Sequence, residues 1–169
     1  MLIRLAREED LDAIDAIYDH YVRTSTCTWQ HASTSREERR AWFDAHGERH
    51  PVIVAVAEDE AGDEAVVGFG SLGTFRAREG YRFTVENSLY VRADRHRRGI
   101  GRALLADLLD RARALGHHAV VAGISADQPA SVALHAAFGF REVARLPQVG
   151  RKFDRWIDLV LMHRLTADS

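Results

Sequence analysis

The chain has 169 residues, 46% of them hydrophobic, and its 23 lysines and arginines nearly balance 25 acidic residues. This length suits a single domain over residues 1–169 with a substantial core, and the near-neutral charge argues against a nucleic-acid partner. A lone cysteine, Cys27, excludes an internal disulfide; with no long apolar span and no signal-like start, the expected location is the cytoplasm with no membrane partner.

Weak alternation marks a first strand over residues 2–6, and Leu11, Ile14, Ile17, Tyr18 and Tyr21 then recur at helical spacing. Ser35 with Glu38 three positions later has the pattern of a capping box, opening a second helix that carries Trp42 and Phe43 and ends near Gly47 and Pro51. Residues 52–57 are an almost continuous apolar strand, which an acidic turn over 58–64 returns through an antiparallel strand at 65–69. A further strand is expected over 81–91, a helix over 99–115 capped by Gly116, and a strand over 120–124. The next helix starts at Pro129, where proline is tolerated, and Gly139 stops it. Residues 140–145 and 156–165 read as the last two strands, joined by a loop containing Pro147, Gly150 and Phe153. Trp29, Trp42 and Trp156 read as core residues. The order of elements implies an α/β fold, a mixed sheet of about seven strands flanked by about four helices.

The most informative stretch is His96-Arg97-Arg98-Gly99-Ile100-Gly101, which carries a strand into a helix. The first amides of a helix lack partners within it and sit at the positive end of its dipole, a ready site for a pyrophosphate. A dinucleotide fingerprint would need a third glycine where Leu104 stands, and a P-loop would need Lys followed by Ser or Thr after its second glycine. Neither pattern is present. The pyrophosphate of coenzyme A remains, with Arg97 and Arg98 supplying charge beside the amides. His46 and His50 have metal-ligand spacing, but Gly47 and Pro51 break the helix that would aim both rings together, so no metal is expected. Cys27 reads as a buried or inert thiol.

The turn resembles the acyl-CoA loop of the GNAT N-acetyltransferase superfamily, with His96 in the place usually held by Gln or Arg. The segment from Phe75 to Val91, with Thr84-Val85-Glu86-Asn87-Ser88-Leu89-Tyr90-Val91, is similar to the branch that acetylates phosphinothricin and methionine sulfone. The resemblance extends to Ile17 through Val22, to Thr28-Trp29, and to Gly150-Arg151-Lys152-Phe153-Asp154-Arg155-Trp156, where Asp154 replaces a turn glycine. Altogether it spans Ile3 to about Leu165.

That resemblance implies the GNAT fold, acetyl-CoA as cosubstrate, a small amino acid as acceptor, and a homodimer. It implies Glu86 as general base and His135 as the acid that protonates the departing thiolate. Coenzyme contacts are implied for Leu89, Tyr90 and Val91, for Arg97 through Arg102 including Ile100 and Gly101, and for Gln128 and Ser131. Substrate contacts are implied for Trp29, Arg76, Arg78, Tyr81 and Thr84; a guanidinium fork suits an α-carboxylate. Acetylation of a protein amino terminus, a lysine or a polyamine on the same scaffold is the rival enzymatic reading. A CoA-binding module without chemistry is the rival outside enzymology.

Overall fold

The computed structural model describes residues 1–59 and 62–167. Seven strands and four α-helices follow in the order β1 (Leu2–Leu5), α1 (Leu11–Thr24), α2 (Arg36–Asp44), β2 (Val52–Glu58), β3 (Glu64–Thr74), β4 (Thr84–Val91), α3 (Ile100–Ala114), β5 (Ala119–Ser125), α4 (Pro129–Ala137), β6 (Arg141–Lys152) and β7 (Arg155–Leu165). They form one sheet in the order β1-β2-β3-β4-β5-β7-β6, in which only the β4–β5 pair is parallel.

The apolar run in β2 is continuous because both faces of the sheet are covered. Val52, Val54 and Val56 pack with Phe69 under Leu11, Ile14 and Ile17 of α1. The alternate residues Ile53 and Ala55 face the other way, toward Leu104, Leu105 and Leu108 of α3. The Ser35–Glu38 capping box forms as its sequence pattern requires, and Gly116 and Gly139 end α3 and α4 with φ of 75° and 81°.

Three boundaries differ from the sequence reading. β3 runs on to Thr74 through Gly70 and Gly73, past Phe69, where the expected strand ends. Two glycines of β3 make room for α3: a Cβ on Gly68 would lie 3.1 Å from Ile100 and 3.2 Å from Leu104, and one on Gly70 would lie 3.0 Å from Leu108. β4 begins at Thr84, because residues Glu79–Tyr81 form a short 3-10 turn. The expected loop around Pro147 and Gly150 is strand, since β6 lies at the sheet edge, where a missing N–H and shifts of register are tolerated. Its hairpin turns at Phe153 and Asp154, both left-handed at φ 50° and 55°. Trp156, expected in the core, is 61% exposed. The tip of the β2–β3 turn, residues 60–61, lies outside the described residues.

Gly68→Ala is expected to lift α3 from β3, costing about 1–3 kcal/mol by overpacking. Thermal unfolding should show the melting temperature falling by several degrees.

Candidate functional site

β4 and β5 pair from Thr84↔Ala119 to Glu86↔Val121, and then the pairing ends. β4 stays on β3 as far as Val91, while β5 stays on β7 as far as Ser125. The two strands are therefore pulled apart by their other neighbours. The opening contains a cavity of about 70 Å³ that continues into a cleft of about 540 Å³, both bordered by Cys27, Leu89, Tyr90, Gln128 and Ser131.

The outer end of the cleft is the loop leading into α3. Arg97 and Gly99 are left-handed at φ 59° and 79°, so the chain curls before Ile100 begins the helix. A non-glycine residue pays for that conformation, and successive turns of this kind gather backbone N–H groups into an anion-binding concavity. Val91, Arg97, Gly99, Ile100, Gly101 and Arg102 line the cleft, whereas Arg98 does not. Arg102 also stacks on Phe138, 5.1 Å from the ring centroid. His96 ties the loop to α1: its Nε2 lies 2.6 Å from the Tyr21 hydroxyl, which also donates to the carbonyl of Val91. Burial pushes the Tyr21 hydroxyl up to about 12, so it remains a donor.

These features fit acetyl-CoA. The concave amides and Arg97 and Arg102 suit its diphosphate, and the unpaired edge of β4 over Leu89, Tyr90 and Val91 offers main-chain groups to the pantetheine arm. Gln128 and Ser131 line the same cleft, although the Gln128 amide already donates to Thr26 Oγ1 at 3.0 Å. Cys27 borders both spaces, and burial raises its thiol above the usual range, which fits the inert reading.

Glu86 stands at the fork, on the last β4 residue paired with β5. Its carboxylate has no hydrogen-bond partner among the described residues, and desolvation raises its pKa. Space for it comes from Gly123, where a Cβ would lie 2.9 Å from Glu86 Oε1. Sequence reading missed Gly123. It appeared only as one small residue within a strand.

His135 lines the small cavity at the fork, whose lining includes Asn87 and Gly123 but not Glu86, and it is not free. Nδ1 lies 2.8 Å from the carbonyl of Ser131, which can only accept, so the ring proton sits there; Nε2 then accepts from Asn87 Nδ2 at 3.0 Å. Burial lowers its pKa and favours this neutral state. The expected acid thus has no proton on the nitrogen that meets the cavity-lining Asn87. Asn87 Oδ1 remains buried and unpartnered.

The substrate residues are dispersed in the single chain. Arg76 stacks on Phe75 and Tyr81 at 5.2 and 6.0 Å in the exposed β3–β4 loop, and Arg78 precedes the 3-10 turn there. Thr84 pairs with Ala119 at the closed end of the fork. Trp29 covers Gly150, where a Cβ would fall 2.6 Å from its ring, and its indole donates to Ser125 Oγ at 2.7 Å. Beside it Lys152, 2% exposed, donates to the carbonyls of Ser25 and Thr28 at 2.7 Å each. Trp29 and Lys152 thereby fasten the segment that carries Cys27 into the cleft.

Residues 3–161 match the Acetyltransferase (GNAT) domain family. An L-amino acid N-acyltransferase of Escherichia coli, MnaT, is 43% identical over 163 residues, covering 96% of this chain and 92% of the relative. An L-methionine sulfoximine/L-methionine sulfone acetyltransferase of Pseudomonas paraeruginosa is 44% identical over 161 residues, 95% of this chain and 91% of the relative. Among solved structures, a phosphinothricin acetyltransferase of Sinorhizobium meliloti in complex with acetyl-CoA superposes with a TM-score of 0.91 at 36% identity, covering 97% of this chain and 87% of that one.

Two substitutions test this geometry. A Cβ at Gly99 would meet nothing within 4 Å, so Gly99→Ala adds no clash with the protein and acts through its φ of +79°; calorimetric titration should show acetyl-CoA binding about 10-fold more weakly as 1–2 kcal/mol of strain displaces the loop. Lys152→Met strands two buried carbonyls, and denaturant unfolding should show a loss of about 2 kcal/mol.

Proposed function

Because the chain belongs to the GNAT acetyltransferase family and is an acetyl-CoA-dependent N-acetyltransferase, we propose that its acceptor is the α-amine of a small amino acid or analogue, acetylated directly in a ternary complex. The observation that carries this reading is a desolvated, unpartnered Glu86 at the point where the coenzyme cleft ends between β4 and β5. The names of three relatives, an L-amino acid N-acyltransferase, an L-methionine sulfoximine/L-methionine sulfone acetyltransferase and a phosphinothricin N-acetyltransferase, support the acceptor class.

An α-ammonium titrates at about 8, so most of the substrate at neutral pH holds the proton that blocks attack. Glu86 accepts this proton, directly or through one water. The neutral nitrogen then bonds to the acyl carbon as the carbon–sulfur bond breaks; the sulfur leaves with the electron pair, and the nitrogen gives up its second proton to that thiolate or to water, leaving a neutral amide and coenzyme A. The α3 loop and β4 edge hold the coenzyme, so orientation and proton removal supply the rate. His135 positions Asn87 and does not donate the final proton; its two engaged nitrogens support that assignment.

The reading includes a single domain, a cytoplasmic location and no nucleic-acid or membrane partner; no described helix is long and apolar enough to cross a membrane. It also includes a homodimer. Val143, Leu146 and Val149 on the edge strand β6, with Phe153 and Trp156, leave an exposed apolar band suited to a second copy. A partner also gives the exposed Arg76 and Arg78 a route to a substrate carboxylate that they lack in one chain.

With acetyl-CoA and thiol detection, methionine sulfone, methionine sulfoximine or phosphinothricin should be acetylated, and spermidine and a peptide amine should not. No turnover of the first three would overturn the acceptor assignment. Raised by desolvation, the Glu86 carboxyl loses its proton above the ordinary glutamate range, so the acidic limb of kcat/KM should lie above that range. Glu86→Gln should lower kcat/KM about 100-fold at pH 7, with the deficit narrowing as rising pH deprotonates the amine unaided. An unchanged pH–rate profile would remove Glu86 from this role.

A further inference from the structure

Once a neutral amine has attacked the thioester, its nitrogen still carries a proton to lose and the departing sulfur an electron pair to cover. Glu86 takes the first proton of the ammonium, before attack. The second has to reach the sulfur.

The two faces of β4 separate these tasks, since successive strand residues point opposite ways. Tyr90 packs with the α1 cluster, and Val85 and Leu89 pack with the α3 cluster, so Glu86 and Ser88 share the first face and Asn87 the second. The base therefore stands on the α1 side of the fork. Asn87 stands on the side of α3 and α4, whose residues Ile100, Gly101, Ser131 and Leu134 line the coenzyme cleft.

Asn87 is 6% exposed and lines the small cavity together with Gly123 and His135. The orientation of its amide is fixed by a chain of donors. The Ser131 carbonyl only accepts, which puts the imidazole proton on Nδ1 and leaves Nε2 an acceptor. Nε2 takes its hydrogen from Asn87 Nδ2 at 3.0 Å, so the nitrogen end of the amide is held by the histidine and Oδ1 is turned away from it. Oδ1 is buried with no partner among the described residues. Neighbouring donors are engaged elsewhere: the Ser125 hydroxyl donates to the Thr26 carbonyl, and Gln128 Nε2 donates to Thr26 Oγ1. A buried carbonyl of this kind calls for a water or a ligand donor. The cavity, at about 70 Å³, exceeds the roughly 15 Å³ that one water needs.

We propose that Asn87 Oδ1 holds a water that carries the second amine proton to the departing sulfur, with His135 fixing the amide so that its acceptor end meets that water. The water donates one hydrogen to Oδ1 and the other to the sulfur, while its oxygen accepts from the nitrogen. Nitrogen and sulfur share one carbon until the carbon–sulfur bond breaks, so a single water spans both. As that bond breaks and the sulfur keeps the electron pair, the nitrogen's proton passes to the water and the water's proton to the sulfur. The water is regenerated, and a neutral amide and the thiol of coenzyme A remain. Asn87 and His135 are positioning residues, because neither exchanges a proton. The inference rests on acetyl transfer and on the neutral His135 described above, not on which amine is the acceptor.

Two experiments on the full-length protein test it. In a crystal structure with coenzyme A, a water should lie within hydrogen-bond distance of both Asn87 Oδ1 and the sulfur. Sulfur packed directly against Asn87, or no water at Oδ1, overturns the proposal. Single-turnover acetyl transfer, quenched rapidly, is then compared for the unsubstituted protein, Asn87→Leu and Asn87→Asp, with whichever of methionine sulfone, spermidine and a peptide amine turns over. Asn87→Leu should be about 100-fold slower, with acetyl-CoA affinity by calorimetry within about threefold. Asn87→Asp keeps an acceptor toward the water and draws a second proton onto His135, so it should recover part of that loss. A purely structural role gives the reverse order, since burying a carboxylate costs more than burying leucine. An undiminished rate in Asn87→Leu, Asn87→Asp no faster than Asn87→Leu, or a weakening of acetyl-CoA that matches the loss of rate overturns the proposal. If a variant does not fold, the water in the unsubstituted complex decides it. Turnover of spermidine or the peptide but not of the amino acid would remove the acceptor reading and leave this inference standing.

Discussion

The parting of β4 from β5 is the constraint on which the site depends. Parallel pairing lasts for three residues, up to Glu86↔Val121, and each strand is then claimed by a different antiparallel neighbour. A sheet interior normally satisfies every backbone group, so an unpaired edge within it is a cost unless a ligand completes it. Here that edge runs from the half-buried Glu86 to the start of the loop that leads into α3. One structural interruption thus furnishes the cleft, an open main-chain edge along it and the position of Glu86.

The same opening sets the electrostatics. Glu86 is desolvated because strands flank it, yet it keeps room because Gly123 has no side chain to fill the fork. His135 is desolvated too, and its pKa moves down, since burial disfavours the charged form of acid and base alike. A carboxylate becomes a better base while the imidazole becomes a neutral hydrogen-bonding strut. Around them, α3 rests directly on glycines of β3, and Lys152 with Trp29 anchors the segment before α2. The walls are therefore held by close backbone approach and buried polar contacts.

Much of this was legible in the chain itself. The periodicity of α1, the Ser35–Glu38 capping box and the glycine turn into α3 are local signals, and local physics decides them. The far end of β3 and the extent of β6 differ from the expectation because glycine and proline there answer to tertiary demands: α3 pressing on Gly70, Trp29 on Gly150, and an edge position for Pro147. Nor does any local pattern reveal that Asn87 meets His135, 48 residues away, or that Tyr21 meets His96 across 75.

The central claim, that main-chain amides at the start of α3 grip the diphosphate while the β4 edge holds the arm, is tested most directly by isothermal titration with two ligands. Acetyl-CoA contains the diphosphate; S-acetylpantetheine has the same thioester and arm without it. The account predicts saturable binding of acetyl-CoA and affinity at least about 100-fold lower for the shorter compound, the loss of two charge-assisted hydrogen bonds. Equal affinity for the two, or no heat with acetyl-CoA on folded protein, would contradict it.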